Sequence, residues 1–292
     1  MRVFRALSTG GALLLLLVAL TGCTATVRGK VTSSTTGKAL KGATVSIGTR
    51  SAKTSADGSF VLSGVDPKAK ELRLDVAGFS LQTVPIVGGA DAGQAVVLED
   101  SSVTIHLSEA AVEPVPPKGV VVSSGNTTLT PDAKGQIDLV GQQPGKLTLS
   151  VTGAAYETKT TALDLKAGSN EATITLSLTP TETYRRFSDS QKFNRYAIAW
   201  LYLHPDTQAY EKSIQNYADP KRMAGYTLVS MTMGQSHVLP SWTSETTKKT
   251  YSNVVEIDRT LVLQILGQTI TDNLSQHWVK IGDLWQFVYG KM

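Results

Sequence analysis

The chain has 292 residues, of which 18% are charged and 41% are hydrophobic, and its formal net charge at pH 7 is +4. Removal of an N-terminal leader that carries Arg2 and Arg5 lowers this charge to +2, so the composition gives no strong positive field for binding nucleic acid. Cys23 is the single cysteine, which excludes an internal disulfide and a cluster of thiolate metal ligands.

Residues 1–22 have the pattern of a secretion signal. Two arginines precede an apolar run from Gly11 to Leu20, which is about half the length that a membrane-spanning helix needs. We therefore expect this segment to be removed from the mature protein.

The residues at the end of the leader, Leu20-Thr21-Gly22-Cys23, resemble a bacterial lipobox. The resemblance implies that Cys23 carries a diacylglycerol and a further acyl chain such as palmitate, so that residues 23–26 form a lipidated membrane anchor. It also implies that Thr24 directs the protein to the outer membrane in a bacterium with two membranes, and that the protein faces outward from a single membrane. An ordinary signal peptide with an incidental cysteine is the alternative.

Residues 27–100 contain short runs in which apolar residues alternate with polar ones between glycine-bearing turns. This period of two is typical of half-buried strands that pair into sheets, so we predict a β-sandwich. The predicted strands lie at 27–31, 43–47, 60–62, 72–76, 84–86 and 96–98. The pair Asp57-Gly58 predicts a tight hairpin, because glycine tolerates the positive φ angle that such a turn requires.

Several motifs in this region resemble the carboxypeptidase regulatory-like domain, a prealbumin-type sandwich. They are Gly29-x-Val31, Leu40-x-Gly42-Ala43-x-Val45, Thr54-x-x-Asp57-Gly58-x-Phe60-x-Leu62 and Gly78-Phe79. Ala39 departs from the proline that is frequent in the family. Members of this family are accessory modules of secreted and surface proteins, so the resemblance implies packing or binding and transfers no catalytic residue.

Residues 101–180 repeat the pattern and predict a second, diverged sandwich. The motif at Gly58-x-Phe60 recurs at Gly135-x-Ile137, 77 residues later, with Lys134 in place of the turn aspartate. An isopeptide crosslink between Lys30 and an acceptor, assisted by Asp75, is not favoured, because the alternation places both side chains in water and the reaction needs buried groups.

Residues 181–292 differ in composition, since they contain all four tryptophans and most of the aromatic residues. Ser188-x-x-Gln191 predicts a capping box before a helix that ends near Leu203, with a core-facing stripe of Phe193, Ala197, Trp200 and Leu201. A second helix is predicted from Asp206 to about Tyr217, and strands follow. The region is therefore predicted to be an α+β domain that can fold alone.

The last strands form a predicted hairpin around Gly282-Asp283, which pairs Trp278 with Phe287 and Lys280 with Trp285. The order of helices and then sheet, closed by this hairpin, resembles the nuclear-transport-factor-type cone of the cystatin-like fold. That resemblance implies a small pocket in a family that contains both enzymes and inactive members.

Two sets of candidate site residues follow from this hairpin and its neighbours. His277, His237 and Asp258, with Glu256 as an alternative carboxylate, could form an acid/base pair in the pocket. The second set, the aromatic residues of one hairpin face, is predicted to be an interface that pairs the domain with itself, because Val279, Ile281, Leu284 and Val288 suffice to cover the helix. Its members are Trp278, Trp285, Phe287 and Tyr289. A loop around Trp242 that covers this face is the alternative.

The functional prediction is a non-catalytic, lipid-anchored cell-envelope protein in which two sandwiches act as a stalk for a C-terminal domain. The expected partners are the membrane, through Cys23, and an envelope protein or a small ligand that the sequence does not identify; a homodimer is also expected. No cofactor, metal site or nucleic-acid partner is predicted, since motifs for them are lacking. An enzyme with acid/base chemistry and a purely structural surface protein are the competing interpretations.

Overall fold

A computed structural model of the chain describes residues 24–89, 93–218, 226–265 and 267–290. The predicted signal peptide and Cys23 lie outside these residues. The chain divides into two compact units, one ending at Leu98 and the other beginning at Glu99. Strands predominate over helices in both the number and the length of the described elements.

Seven strands of the first unit form the predicted sandwich. They are β1 (Ala25–Ser33), β2 (Thr44–Ile47), β3 (Arg50–Lys53), β4 (Ser59–Val65), β5 (Glu71–Asp75), β6 (Gln82–Pro85) and β7 (Gly93–Leu98). A three-stranded sheet in the order β4-β1-β7 packs on a four-stranded sheet in the order β3-β2-β5-β6. Alternate residues such as Val27, Val31 and Leu74 are fully buried, because each strand presents one face to the core.

The alternation predicted all of these strands except β3, whose residues Arg50–Lys53 carry no apolar pattern. The prediction of a hairpin at Asp57-Gly58 is wrong, because this turn connects β3 and β4, which belong to different sheets. Gly58 is still required, since its φ is 79° and a Cβ atom there would lie 2.5 Å from the Val31 carbonyl oxygen. Lys30 and Asp75 are both exposed, as the alternation predicted.

The second sandwich opens the second unit and repeats the strand order of the first. Its strands are β8 (Ser101–Ala110), β9 (Val120–Ser124), β10 (Thr127–Leu129), β11 (Gln136–Gln142), β12 (Gly145–Gly153), β13 (Tyr156–Leu165) and β14 (Gly168–Ser177). Sheets β11-β8-β14 and β10-β9-β12-β13 correspond strand by strand to those of the first sandwich, including the parallel pair at the end of the three-stranded sheet. This identity of topology agrees with the predicted duplication.

The turn before β11 keeps its geometry although Lys134 occupies the aspartate position. The Asp132 carboxylate accepts hydrogen bonds from the backbone N–H groups of Lys134 and Gln136 at 2.9 and 2.8 Å. In the first sandwich, Asp57 accepts from the Ser59 N–H at 3.1 Å. The carboxylate that stabilises the turn therefore lies two residues closer to the N-terminus in the second sandwich than in the first.

The helices described after the second sandwich are α1 (Pro180–Lys192), α2 (Tyr196–Leu201), α3 (Pro205–Glu211) and α4 (Ile214–Tyr217). The predicted capping box at Ser188 is wrong, because the N-cap of α1 is Thr179, nine residues earlier, whose hydroxyl accepts from the Glu182 N–H at 3.2 Å. Ser188 lies buried in the middle of α1. Among the described residues, each helix falls short of the length and apolar character needed to cross a membrane.

The predicted core-facing stripe of the helical region is also wrong, since Phe193 and Leu201 are 66% and 49% exposed. The buried positions are Ala199, Tyr202 and Leu203. The predicted spacing fails because α1 ends at Lys192 and α2 begins at Tyr196, so Phe193 and Leu201 do not belong to one continuous helix. The second predicted helix is divided into α3 and α4 by Lys212, whose φ of 67° is incompatible with a continuous helix.

The chain ends in a four-stranded antiparallel sheet in the order β15-β16-β17-β18. The strands are β15 (Tyr226–Thr243), β16 (Thr250–Ile265), β17 (Gln268–Ile281) and β18 (Leu284–Val288). The predicted hairpin register is confirmed, with Trp278 opposite Phe287 and Lys280 opposite Trp285. Helix α1 packs against one face of this sheet through Tyr184 and Phe187.

A buried ion pair joins the second sandwich to α1. The Glu109 carboxylate, whose side chain is fully buried on β8, accepts two hydrogen bonds from the Arg186 guanidinium at 2.9 Å and one from the Tyr156 hydroxyl. Burial alone would raise the pKa of Glu109, but these donors and the Val115 N–H hold it below its ordinary value. The fork geometry fixes α1 to the sandwich.

Further contacts between the second sandwich and the C-terminal sheet involve the hairpin. Glu157 on β13 accepts hydrogen bonds from the Lys280 ammonium and, at 2.9 Å, from the Trp285 indole N–H. The Ser177 hydroxyl donates to Asp283 at 3.1 Å. These polar contacts explain why residues from Glu99 onward form one compact unit.

Candidate functional site

The structure places the two predicted histidines in one row with Glu256 across three strands. The register sets His237 of β15 opposite Glu256 of β16, and Glu256 opposite His277 of β17. The next pair, Val255 and Trp278, faces α1, so the row lies on the opposite face of the sheet. The structure thus brings the two histidines to the same region but puts Glu256, rather than Asp258, between them.

His277 is a buried histidine with limited access to a substrate. Its Nε2 atom lies 3.1 Å from Glu256 Oε1, and its ring stacks on Trp242 with centroids 3.8 Å apart and planes 8° from parallel. The Nδ1 atom is buried and has no hydrogen-bond partner. Burial lowers the pKa of His277 below its ordinary value, so the ring is held neutral despite the adjacent carboxylate.

His237 and Asp258 form a looser pair at the surface. Their nearest atoms, Nε2 and Oδ2, are 3.6 Å apart, and both side chains are about half exposed. This distance exceeds that of a hydrogen bond. Asp258 instead accepts a hydrogen bond from the Ser275 hydroxyl at 2.9 Å. The pair has neither the contact nor the burial that tuned proton transfer requires.

The predicted aromatic interface is contradicted by the packing of the hairpin. Trp278 is fully buried and Phe287 is 9% exposed, and both contact Phe187 of α1 with ring centroids 5.6 and 5.5 Å apart. Trp285 and Tyr289 are partly buried and donate hydrogen bonds to Glu157 and Glu211. These four residues therefore belong to the interior and to the junction with the second sandwich.

The two faces of the hairpin have exchanged the roles that the sequence predicts, since the aromatic face packs against α1 and the aliphatic face does not. The aliphatic residues Val279 and Val288, which the sequence predicts to cover the helix, pack in a smaller cluster with Tyr251, Val254 and Trp242. The physical reason is that aromatic rings bury more apolar surface and pack edge to face with the rings that α1 presents. Periodicity separates the faces of a strand, but it does not say which face meets the helix.

A cavity of about 190 Å³ lies on the α1 side of the sheet, between the helix and the edge strand β15. The helix contributes Tyr184, Arg185, Ser188, Asp189 and Lys192, and the strand contributes Val229, Ser230, Met231 and Met233. One wall is therefore polar and charged, and the other is largely apolar. This cavity was not among the sites predicted from the sequence.

Three buried polar groups lie together beside this cavity without a well-formed hydrogen bond. They are the Tyr184 hydroxyl and its two neighbours, the Ser188 hydroxyl and Arg259 Nε. Tyr184 and Ser188 are only 3% and 7% exposed, and both line the cavity. Burial raises the pKa of Tyr184, so its phenol remains a proton donor, and the neighbouring Arg259 stays charged although burial lowers its pKa. Unsatisfied buried polar groups are rare and require an explanation.

A sequence signal for this site existed in β16. Val255, Ile257, Arg259, Leu261 and Leu263 alternate on one face of the strand, so the apolar series is interrupted by a single arginine. A charge that faces inward is costly unless it has a function or a partner. Its neighbours on α1 could not be found in this way, because the predicted start of that helix lies nine residues too late.

No combination of three or more histidine, cysteine, aspartate or glutamate side chains in the described ranges is arranged to hold a metal ion. The candidate sites are therefore the His277–Glu256 pair and the cavity beside α1. Of these two sites in the described residues, the cavity is the one that offers open volume beside buried hydroxyl groups.

Comparison with known families gives a match in the first part of the chain. Residues 26–108 match the model of the carboxypeptidase regulatory-like domain, which covers less than a third of the chain and confirms the resemblance predicted for the first sandwich. A search of curated proteins finds no similar sequence.

Solved structures with similar parts are distant from this chain. The Bacillus anthracis TIE protein is 15% identical over 52% of this chain and 33% of its own length, with a TM-score of 0.25. A minor pilin of Streptococcus agalactiae is 12% identical over 53% and 97%, with a TM-score of 0.30. The shaft pilin SpaA from Lactobacillus rhamnosus GG is 12% identical over 54% and 99%, with a TM-score of 0.27. The chain thus spans about a third of the TIE protein that it matches.

Proposed function

We propose that this protein is a non-catalytic, lipid-anchored component of the bacterial cell envelope. In this proposal Cys23 carries the lipid, the two sandwiches act as a stalk, and the C-terminal domain binds a small ligand or an envelope partner. The observation that carries the proposal is the repeated strand order of the sandwiches, the second of which is joined to the C-terminal domain by buried Glu109. Duplicated accessory modules are suited to carrying another domain, since each buries its own core.

The geometry of the histidines supports a role without catalysis. A general base must approach the proton that it removes, yet one face of His277 is covered by Trp242 and its Nε2 lies against Glu256. His237 and Asp258 are separated by more than a hydrogen-bond distance. The burial of Trp278 and Phe287 also leaves no support for a homodimer through that face.

The α+β order of residues 181–292 supports the proposed relation to the nuclear-transport-factor-type cone. The described helices precede an antiparallel sheet, and the closing hairpin has the register predicted from its two-residue turn. The cavity between α1 and β15 supports a binding role for this domain. The assignment to the outer membrane rests on the lipobox and on Thr24 alone.

Metabolic labelling with an alkyne fatty acid tests the anchoring. The wild-type chain should incorporate the label and fractionate with membranes, whereas Cys23→Ala should remain an unlabelled precursor. Thr24→Ala is the matched control, because it changes the neighbouring residue and keeps the thiol. Label that persists in Cys23→Ala would contradict the proposed anchor.

A further inference from the structure

We propose that the cavity between α1 and β15 binds a small organic carboxylate with a short apolar chain. This inference rests on the proposed binding role of the C-terminal domain and specifies its ligand. The cavity is lined by Tyr184 and Ser188 of α1 and by Met231 and Met233 of β15. Hydroxyl groups, a positive charge and an apolar wall therefore meet in one space.

The hydroxyl groups provide the first step of the argument. Tyr184 and Ser188 stand four residues apart on one face of α1, and their buried hydroxyls interact with each other without a well-formed hydrogen bond. A buried donor without a strong acceptor is unfavourable, so a ligand oxygen that accepts from both groups would bind favourably. A carboxylate presents two oxygens and accepts several hydrogen bonds at once.

The charge around the cavity selects the sign of the ligand. Arg259 interacts with the Tyr184 hydroxyl and is attracted by the Asp272 carboxylate. Lys192 lines the cavity, while the charge of Arg185 is offset by its contacts with Glu182 and Asp189 at 2.7 Å. Arg185, Asp189 and Lys192 together give the cavity lining a net positive charge, which favours an anion and disfavours an ammonium ligand.

The apolar wall and the volume limit the size of the ligand. Val229, Met231 and Met233 form the strand side of the cavity, and methionine side chains adapt to varied apolar shapes. The volume of 190 Å³ is smaller than the roughly 300–1,000 Å³ of sites for drug-sized molecules. A carboxylate with a short alkyl or a single-ring tail fits these limits.

Binding can be measured on the full chain by NMR with ¹³C-methyl-labelled methionine, since the chain contains five methionines and two line the cavity. The probes are butyrate, butanol and butylammonium, which share one tail and differ in their head group. Butyrate should shift the Met231 and Met233 signals, butanol should bind at least about tenfold more weakly, and butylammonium should not bind. Equal shifts from butyrate and butanol, or none from butyrate at millimolar concentration, would overturn the inference.

Variants that each lack one hydroxyl group test the two proposed hydrogen-bond donors. Tyr184→Phe and Ser188→Ala should each weaken butyrate binding about tenfold, because each removes one hydrogen bond to a charged group. Tyr202→Phe and Ser190→Ala are matched controls, since these residues are equally buried but do not line the cavity. Circular dichroism should give the same fold for all four variants, and the removal of a hydroxyl without a well-formed hydrogen bond should not lower stability.

Unchanged butyrate binding in both Tyr184→Phe and Ser188→Ala would overturn the inference. The fatty-acid labelling of Cys23 separates this inference from the proposed function. A chain that is labelled but does not bind butyrate retains the envelope assignment and loses the carboxylate site. A chain that binds butyrate but is not labelled retains the site and loses the anchor.

Discussion

The two sandwiches have the same strand order, yet the first is a compact unit by itself and the second is part of a larger one. Their equivalent turns place the Val31 N–H on the Gly58 carbonyl and the Leu107 N–H on the Gly135 carbonyl, both at 2.9 Å. Two residues further along each strand the sandwiches differ. This position is Ser33 in the first sandwich and Glu109 in the second.

The role of this position differs between the two copies. The Ser33 hydroxyl accepts a hydrogen bond from the Thr36 N–H at 3.1 Å and so stabilises a turn within its own sandwich. Glu109 instead points its carboxylate to Arg186 on α1 and to Tyr156 on β13. A small polar residue thus serves a local turn, whereas a longer charged residue connects two parts of the chain. The same fold can therefore act as a separate module or as part of a joint unit.

Separation of the C-terminal domain from the second sandwich should have the largest effect. The sequence predicts that residues 181–292 fold alone, but the structure gives them polar contacts with the sandwich through Glu109, Glu157 and Ser177. We expect the fragment 181–292 to unfold at a lower denaturant concentration than 99–292. Tryptophan fluorescence measures this, since all four tryptophans lie beyond residue 181. Coincident unfolding curves would show that the second sandwich is as independent as the first.

Arg186→Met should destabilise the second unit by about 3–5 kcal/mol, because it leaves the buried Glu109 carboxylate without its charged partner. Urea unfolding followed by tryptophan fluorescence gives the free energy of unfolding. Arg185→Met is a matched control on the adjacent position, where the guanidinium is largely exposed and its loss should cost at most about 1 kcal/mol. Equal losses in the two variants would remove the ion pair as the cause of the joint unit.

Substitution of alanine for the equivalent turn glycines, Gly58 and Gly135, compares the stability of the same turn in the two sandwiches. Gly58→Ala and Gly135→Ala should each cost about 1–3 kcal/mol, since both have φ near 80° and lack space for a Cβ atom. An added Cβ atom would lie closer to a carbonyl oxygen at Gly58, 2.5 Å against 2.9 Å at Gly135, so Gly58→Ala should cost more. Gly37→Ala, where φ is positive but space is open, measures the backbone strain alone. Hydrogen exchange reports both sandwiches, and a larger loss at Gly135 would contradict the order.

Acid should weaken the C-terminal domain, and His277 alone should contribute up to about 1.4 kcal/mol per pH unit. Burial lowers the pKa of His277 in the folded chain below its unfolded value near 6.5, so the unfolded chain takes up a proton more readily. The stability from neutral His277 is present above pH 6.5 and is lost as the pH falls. His277→Gln should reduce this dependence and leave the part due to His204, whose pKa burial also lowers.

His237→Gln is the control for this pH dependence, because the His237 side chain is half exposed and is therefore only weakly desolvated. Urea unfolding between pH 5 and 8 gives the slopes for the wild type and both variants. An unchanged slope in His277→Gln would show that its burial does not control the response to acid.

The sequence determined the alternating strands of the first sandwich, the repeat of their pattern in the second sandwich and the last hairpin. Alternation along one strand and the positive φ of Gly282 are local properties, so the register of Trp278 with Phe287 could be predicted without any knowledge of distant residues. The short polar strand β3 has no such local signal, and it exists because its backbone pairs with β2.

Other features were decided by contacts between residues far apart in the chain. The start of α1 could be read from Thr179 and Glu182, but Ser188 offers a similar local pattern, and packing decides between the two. The hairpin face that meets α1 was likewise chosen by the rings of Tyr184 and Phe187. The cavity needs α1 and β15 side by side, although Val229 lies some forty residues after Ser188. Sequence periodicity determines which residues share a face, and only the tertiary structure determines what each face contacts.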